Sequence, residues 1–308
     1  MDLRLKAVLS GMSTYLPGVD LAGFTGGTDS ARYCYAVWMR HWVRATRAAN
    51  RRGCPRVVAE LGPGDSLGIG LAALLSGAQR YVALDLVRYS APAKNLQIFD
   101  ELAQLLSART PIPDASEFPF LYPRLDSYEF PASLGGAAPS PERLAAIRRS
   151  IEQPEAANSL IRYQAPWTAA GVIEEASVDY IFSQAVLEHI DDLQGVYAAM
   201  WRWLKPGGLM THQIDFKCHG KAAVWNGHWA YPEPIWKLIV GRRPYLLNRQ
   251  PHSVHLALLR RQGFEILEDA VEHTASLLRR EQLNPRLRGL TDEDLTTSGA
   301  FIVAARAV

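Results

Sequence analysis

The chain has few cysteines and no dominant charge. Its 308 residues include three cysteines, Cys34, Cys54 and Cys218, an odd number spaced far apart. This argues against a disulfide framework and favours a reducing compartment. Lys and Arg number 33 against 31 Asp and Glu, a formal net charge of +2. That balance gives no reason to expect a nucleic-acid partner, which would need a strongly basic face.

Long apolar segments are also missing. No window reaches the ~18 apolar residues of a transmembrane helix. Residues 1–20 lack the apolar core of a signal peptide. We therefore expect a cytoplasmic protein without a transmembrane segment. The apolar fraction, 48%, suffices for one large α/β domain or two small ones.

A strand–turn–helix–strand pattern begins at Val57. The segment "VVAELGPGDSLGIGLAALL", Val57–Leu75, starts as a β-branched run, passes through a glycine cluster and continues with helical spacing. The run "RYVALDLV" follows as a second buried strand. Together they predict a right-handed βαβ unit with parallel strands.

The rest of the chain continues this alternation. An amphipathic helix is expected over 30–50, strands in "SLIRYQA", "SVDYIFS", "LMTHQIDF" and "GAFIVAARAV", and a helix in "LQGVYAAMWRWL" that ends at "KPGG". The predicted organisation is an N-terminal helical segment at 1–56 and a domain at 57–308. Two stretches are too long for ordinary connections and are expected to be insertions, at about 88–158 and 217–251.

The glycine turn and two carboxylates indicate a nucleotide-like ligand. Such a turn lets the backbone approach a ligand and points helix N–H groups at it. Glu60, two residues before Gly62, suits a cation such as the ammonium and sulfonium of S-adenosylmethionine (SAM), not a pyrophosphate. Asp85, at the end of the second strand, suits a ribose diol. The alternatives are a partner of the helix dipole for Glu60 and an ordinary strand-end acid for Asp85.

These motifs resemble those of the class I SAM-dependent methyltransferases. "ELGPGDSLG" and "ALD" are similar to the family's first two motifs, and "SVDYIFSQAVLEHIDD" and "MWRWLKPGGLMTHQIDF" to its fourth and fifth strands. The resemblance covers roughly 57–87 and 160–216. It implies a Rossmann-like α/β sheet of seven strands, mostly parallel, with an antiparallel last strand. Ser66 stands where the family has its third glycine, and Gly68 comes one position late for G-x-G-x-x-G.

The resemblance also implies SAM as cofactor and S-adenosylhomocysteine as product. The predicted cofactor-binding residues are Glu60, Gly62, Pro63, Gly64, Asp65, Ser66, Asp85, Leu86, Ala165 and Gln184, with "YQAPW" as the adenine-contacting segment. Some relatives bind magnesium through E-x-x-E-H, but Ala185 replaces the first Glu here. Glu188, His189 and His219 leave a partial site at most, so no metal is expected.

Candidate catalytic residues follow the fourth and fifth strands. Methyl transfer to a hydroxyl needs a base for its proton. His189 in "LEHI" and His219 in "DFKCHG" are the candidate bases, and Asp215 is expected to orient one of them. For either histidine the alternative is a structural or solvated role. His212 and His41 are expected to be structural.

The acceptor must be inferred from the second insertion. Trp225, His228, Trp229 and Tyr231 combine aromatic rings with polar groups, as sugar-binding surfaces do; the alternative is that the rings form the insertion's own core. The segments "GPGDSLGIGLAALLSGA" and "VWMRHW" are loosely similar to methyltransferases of bacterial surface polysaccharides. We therefore predict O-methylation of a sugar or glycan hydroxyl in surface polysaccharide biosynthesis.

Several alternatives remain open at this stage. The acceptor is alternatively a small aromatic or isoprenoid molecule, or an amine that needs no strong base. A SAM-binding module without catalysis and an NAD(P) oxidoreductase are the rivals from other classes. An RNA methyltransferase is disfavoured because no basic stripe with aromatics occurs. The sequence does not decide whether the chain forms a homodimer.

Overall fold

A computed structural model describes residues 5–18, 27–134, 139–167, 171–243 and 245–308. Parts of the predicted N-terminal segment and first insertion, at 1–4, 19–26 and 135–138, lie outside the described residues. The described residues form one seven-stranded sheet with the strand order β3-β2-β1-β4-β5-β7-β6. The strands are Val57–Leu61 (β1), Arg80–Leu84 (β2), Ile161–Gln164 (β3), Val178–Gln184 (β4), Leu204–Asp215 (β5), Phe264–His273 (β6) and Thr297–Arg306 (β7).

The helices cover both faces of this sheet. The described α-helices are Leu5–Ser13 (α1), Ala31–Ala48 (α2), Gly68–Leu75 (α3), Pro92–Ser107 (α4), Pro141–Glu152 (α5), Leu193–Trp203 (α6), Glu233–Val240 (α7), His252–Gln262 (α8) and Asp292–Thr296 (α9). Helices α2 to α5 supply the hydrophobic core on one face, and α6 with α8 supplies the core on the other. The result is a three-layer α/β/α arrangement.

The strand directions confirm the predicted fold class. β1 pairs in parallel with β2 and β4, β2 with β3, and β4 with β5. β7 runs antiparallel to both β5 and β6. The strand order reverses between β1 and β4. Ligands of open α/β sheets bind at such a reversal, outside the carboxyl ends of the strands.

Strand alternation assigns the residues of β1 to the two faces. Val58 belongs to the core under α2 and α3, whereas Ala59 and Leu61 belong to the core under α6. Because side chains alternate along a strand, Glu60 shares the face of Val58. This places its carboxyl beneath α3.

The "KPGG" segment is a bulge and not a turn outside the sheet. β5 begins at Leu204, directly after α6. Val178 pairs with Leu204 and Tyr180 with Leu209, so four residues of β5 stand opposite one residue of β4. The sequence predicted the helix end correctly but placed the start of the strand too late, because a bulge and a turn share the same Pro and Gly signals.

Helices α1 and α7 form a smaller unit at the edge of the molecule. Ala7 and Val8 of α1 pack with Trp236 and Ile239 of α7 in a separate apolar cluster. The helices approach so closely that a Cβ at Gly11 would overlap the backbone of α7. The predicted domain and insertion boundaries stay predictions. No helix in the described ranges is long and apolar enough to cross a membrane.

Gly70 tests the close packing of α3 on β2. A Cβ at this position would overlap the ring of Tyr81. We expect Gly70→Ala to lower the free energy of unfolding by about 1–3 kcal/mol, as overpacked cores do, although alanine favours a helix by ~1 kcal/mol. Urea unfolding measures the change.

The matched control is Gly289→Ala, where nothing lies within 4 Å of an added Cβ. It should change stability by less than ~0.5 kcal/mol. Equal effects of the two variants would contradict this account of the α3–β2 contact.

Candidate active site

The turn after β1 depends on two left-handed glycines. Gly62 has φ +66° and Gly64 has φ +72°, values that side-chain-bearing residues rarely adopt. The Gly62 N–H donates to the Leu84 carbonyl over 2.8 Å. A Cβ at Gly62 would lie 2.5 Å from Val186 of the segment after β4. The turn therefore brings the ends of β1, β2 and β4 together.

The amides at the start of α3 already have protein partners. The Ser66 N–H donates to Thr28 Oγ1 (3.0 Å), the Leu67 N–H to Asn95 Oδ1 (2.9 Å) and the Gly68 N–H to Ser66 Oγ (3.1 Å). A pyrophosphate-binding turn instead offers such amides to its ligand. This arrangement disfavours a dinucleotide at the turn.

Gly68 is required for packing. A Cβ there would overlap the Cys34 side chain of α2. The Ser66 hydroxyl donates to the Thr28 carbonyl, and the Thr28 hydroxyl donates to the Pro63 carbonyl over 2.7 Å. Thr28, in the segment before α2, thus fixes the conformation of the turn. The late third glycine has a structural reason of its own.

Asp85 lies where the sequence placed it, at the end of β2 beside the turn. Its Oδ1 accepts from the Leu86 N–H (2.7 Å) and its Oδ2 from the Gly64 N–H (3.4 Å). Burial raises the pKa of this carboxyl, and the backbone N–H groups of Leu86 and Gly64 oppose that shift. A carboxylate held in this way can accept hydrogen bonds from a vicinal diol, as on a ribose.

Glu60 is buried against Tyr81, and its predicted contact with the cofactor's amino end stays a prediction. Tyr81 donates its hydroxyl to Glu60 Oε2 over 2.5 Å, and the side chain is 2% exposed. Burial raises the pKa of Glu60 to about 8, while hydrogen bonds from Tyr81 and the Gly70 backbone lower it. The physical reason is the strand alternation that puts Glu60 under α3. The Gly70 bond to α3 fits the alternative weighed above, a partner of the helix dipole.

The other predicted cofactor residues lie around the same edge. Ala165 follows β3, and the neighbouring Trp167 N–H donates to the Asp85 carbonyl over 3.1 Å. Gln184 ends β4, and its Oε1 lies 2.9 Å from His41 Nε2. Asp65 is half-buried in the turn itself. Contacts of these residues with the cofactor stay predictions.

The three predicted catalytic residues come together beyond β4 and β5. His219 Nε2 lies 3.3 Å from Asp215 Oδ2, and Lys217 Nζ lies 3.1 Å from Asp215 Oδ1. The rings of His189 and His219 are 5.3 Å apart. Burial raises the pKa of Asp215, but the hydrogen bond with His219 and the charge of Lys217 outweigh it and lower the pKa to about 2. Asp215 is therefore a carboxylate at neutral pH.

His189 is more enclosed than His219. Burial and the neighbouring His219 lower the pKa of His189 to about 4, against the opposing effects of the Leu246 backbone and Asp215. Its ring stands edge-on to that of Tyr245 at 6.0 Å. At neutral pH the His189 imidazole is therefore uncharged, and it lines the site.

Glu188 turns into the protein interior. It is 3% exposed, and its Oε1 accepts from the Asp215 N–H over 3.3 Å. Burial and the charge of Asp215 raise the pKa of Glu188 well above its ordinary value. The described residues contain no group of three or more side chains arranged to hold a metal ion.

Comparison with known proteins gives the family context. A family model described as "Methyltransferase domain" matches residues 124–211. No curated protein matches the chain. Among solved structures, a SAM-dependent methyltransferase from Mesorhizobium loti is 16% identical, with 85% of this chain and 96% of that chain covered and a TM-score of 0.43.

Two further structures show similar levels of likeness. A SAM-dependent methyltransferase from Methanosarcina mazei is 13% identical over 83% of this chain and 93% of its own, with a TM-score of 0.44. The geranyl diphosphate C-methyltransferase of Streptomyces coelicolor is 12% identical over 86% of this chain and 76% of its own, with a TM-score of 0.45. Such distant structures carry no argument about the acceptor.

The matched residues, 124–211, make up less than a third of the chain. The match and the sheet order, with its antiparallel β7, support a SAM-dependent methyltransferase activity on a class I fold. The residues present fit the cofactor, because the left-handed glycines keep side chains out of the turn and Asp85 stands beside it. When bound, SAM supplies an electrophilic methyl group.

Most residues of the predicted aromatic binding surface are buried, and their contact with an acceptor stays a prediction. His228, Trp229 and Tyr231 are 2%, 1% and 1% exposed. Trp229 donates its indole N–H to the Arg249 carbonyl (3.2 Å), and Trp225 donates to the Ala275 carbonyl (3.0 Å). Trp229 belongs to the core under α6, with Trp225 packed against it, and Tyr231 belongs to the cluster of α1 and α7. The rings are thus largely used for packing.

Two residues near the site escaped the sequence reading, Thr28 and Asn95, which hold the turn. Tyr245, one of the aromatic residues noted in the stretch 225–245, lies beside His189. A signal existed for Asn95: it interrupts the buried stripe of α4 that contains Ile98, Phe99 and Leu102. A single amide in an apolar stripe needs a hydrogen-bond partner, and here the partner is the turn.

Glu60 makes stability depend on pH. Its pKa rises from an ordinary 4.5 to about 8 on folding, so it favours the folded state below pH 4.5. That contribution is lost as pH rises towards 8. We expect Glu60→Gln to become more stable relative to the native chain across this window, by up to ~1.4 kcal/mol per pH unit.

Urea unfolding of both proteins from pH 4.5 to 8.5 measures this difference. Glu265→Gln, at an exposed position on β6, is the control and should show no such trend. A difference between Glu60→Gln and the native chain that stays flat with pH would contradict the buried, protonated state of Glu60.

Proposed function

We propose that this methyltransferase transfers the methyl group to a hydroxyl oxygen, with His219 as the base. The observation that carries the proposal is the Asp215–His219 pair, at 3.3 Å, beyond the carboxyl end of β5. An oxygen acceptor must lose a proton during transfer, and a histidine oriented by a carboxylate is suited to take it.

The geometry gives each residue a role. Asp215 engages Nε2 of His219, which leaves Nδ1 for the acceptor hydroxyl. Lys217 holds the carboxylate from the other side at 3.1 Å. As the proton moves to His219, the carboxylate of Asp215 stabilises the imidazolium that forms. His189, uncharged at neutral pH, bounds the space in which the hydroxyl lies.

A sugar or glycan hydroxyl is our preferred acceptor, as proposed from the sequence. The base supports a hydroxyl acceptor in general, and sugars are rich in such groups. The buried rings of the second insertion no longer support a sugar in particular. The role in surface polysaccharide biosynthesis, the cytoplasmic location and the homodimer stay predictions.

The rival functions make different predictions about the Asp215–His219 pair and the turn. An amine acceptor would make the Asp215–His219 pair dispensable, because no strong base is needed. A SAM-binding module without catalysis would bind cofactor and leave every acceptor unmodified. An NAD(P) oxidoreductase is disfavoured because the amides at the start of α3 are already occupied.

Mutation of the base tests the proposal. With an acceptor found by screening sugars and glycans against labelled SAM, His219→Ala should lower kcat by ~10²–10⁴-fold. Asp215→Asn should lower it as well, because the imidazolium loses its partner. S-adenosylhomocysteine affinity, measured by calorimetry, should stay unchanged in both variants.

Chemical rescue separates catalysis from structure. Added imidazole should restore part of the activity of His219→Ala and none of that of Asp215→Asn. Full turnover by His219→Ala with a hydroxyl acceptor would overturn the assignment of the base. Turnover confined to amine acceptors would overturn O-methylation.

A further inference from the structure

A cavity of about 650 Å³ opens beside α7. Its walls come mainly from α7, the segment 245–250 and the residues 286–287. The charged side chains that line it are Asp191, Glu233, Lys237, Arg243, Arg249 and Arg286. Four of these are basic and two acidic, in a chain whose charges otherwise nearly balance.

Arg249 is built into the cavity wall. Its side chain is 8% exposed and forms an ion pair with Glu233. Its Nη1 donates to the Tyr231 carbonyl over 2.9 Å, and its guanidinium lies 4.9 Å from the ring of Trp236. Glu233 is therefore already used to neutralise Arg249. The Glu233 carboxylate is therefore not available to pair with the other cations of the cavity.

Lys237 and Arg286 carry unpaired charges, whereas Arg243 donates to the Ile239 carbonyl and to Ser10. Both are exposed at the cavity, and within the described ranges neither head group has an ion pair or a hydrogen bond. Arg286 is close enough to Arg249 to help lower the pKa of that guanidinium, after the larger effect of burial. Unpaired cations around a concave site attract an anion and orient it.

The cavity adjoins the catalytic residues. Tyr245 lines it and also packs its ring against His189 at 6.0 Å. Asn248, another lining residue, donates its side-chain amide to the carbonyls of Leu187 (2.7 Å) and Ile190 (2.8 Å). These bonds fix the His189 segment to the cavity wall. A molecule that fills the cavity therefore lies next to His189.

We propose that this cavity binds a phosphate or diphosphate group of the acceptor, whose hydroxyl then lies at His219. This inference rests on the proposed function for the position of the hydroxyl. Lys237, Arg286 and Arg249 would share the anion. A phosphate carries more charge than a carboxylate and has enough oxygens for several cations at once.

Such a group occurs both in soluble phosphate esters and in lipid headgroups. The cavity borders the turn that follows α1, through Tyr15. Leu5, Leu9 and Met12 of that helix are 63%, 55% and 48% exposed. An exposed apolar stripe beside a cationic cavity suits a lipid surface as well as a soluble acceptor. Binding to lipid vesicles distinguishes the two sources.

Calorimetric titration of the full chain with sodium pyrophosphate tests the cavity directly. The test variant is Lys237→Ala/Arg286→Ala, and the matched control is Arg261→Ala, an exposed arginine of α8. We expect the double variant to bind pyrophosphate at least tenfold more weakly and the control to bind it like the native chain. No pyrophosphate binding, or equal binding by all three, would overturn the proposal.

S-adenosylhomocysteine titration of the same samples separates the two proposals. Equal binding in all three shows that the variants are folded and that the cofactor site is intact. If S-adenosylhomocysteine binds and pyrophosphate does not, the cavity proposal fails and the proposed function stands. If S-adenosylhomocysteine does not bind, the proposed function fails whatever pyrophosphate does.

Sedimentation with vesicles distinguishes the two sources of phosphate. One vesicle type contains phosphatidylglycerol and the other only phosphatidylcholine. Co-sedimentation with the anionic vesicles that the double variant loses supports the cavity with a lipid headgroup. Pyrophosphate binding without co-sedimentation supports it with a soluble phosphate ester. Anionic-vesicle binding that the double variant retains, together with unweakened pyrophosphate binding, would overturn it.

Discussion

The turn between β1 and α3 is the constraint on which the rest of the site depends. Its backbone must pass through left-handed conformations at Gly62 and Gly64, and its buried amides must still find acceptors. Thr28 and Asn95 supply acceptors from other parts of the chain, and Ser66 supplies one from within the turn. Because hydrogen bonds to Thr28 and Asn95 fix the backbone of the turn, Asp85 keeps its position beside Gly64.

The same constraint divides the site into two ends. We expect the cofactor around the turn and Asp85, where the N–H groups at the start of α3 are already bonded and so are not offered to a pyrophosphate. We expect the acceptor beyond β4 and β5, where Asp215, His219 and His189 meet. Val186, in the segment after β4, packs directly on Gly62: a Cβ at Gly62 would lie 2.5 Å from its side chain. This contact connects the two ends. The parallel strands bring both ends to one edge of the sheet.

Much of this arrangement followed from sequence patterns of short range. The strands, the glycine turn and the positions of Asp85, Asp215 and His219 at strand ends depend on local spacing. The directions in which side chains point could not be predicted from these local patterns. The side of β1 on which Glu60 lies became clear only with α3 in place, and the burial of Trp229 and Tyr231 only with the second insertion folded.

The residues that escaped prediction act across long stretches of chain. Thr28 bonds to Ser66, and Asn95 bonds to Leu67, from segments that lack a motif of their own. The cavity beside α7 combines Lys237 with Arg286, which are far apart in sequence. Such pairings depend on tertiary packing, and a single sequence contains no periodicity that reports them.

The most direct test of the account is calorimetric titration of the chain with S-adenosylhomocysteine and with NAD, repeated for Asp85→Ala and for the exposed control Asp126→Ala. The account predicts that S-adenosylhomocysteine binds in the micromolar range, about tenfold or more weaker in Asp85→Ala because a charged hydrogen-bond acceptor is lost. The control should bind like the native chain, and NAD should not bind. Binding of NAD in place of S-adenosylhomocysteine would contradict the assignment of the turn.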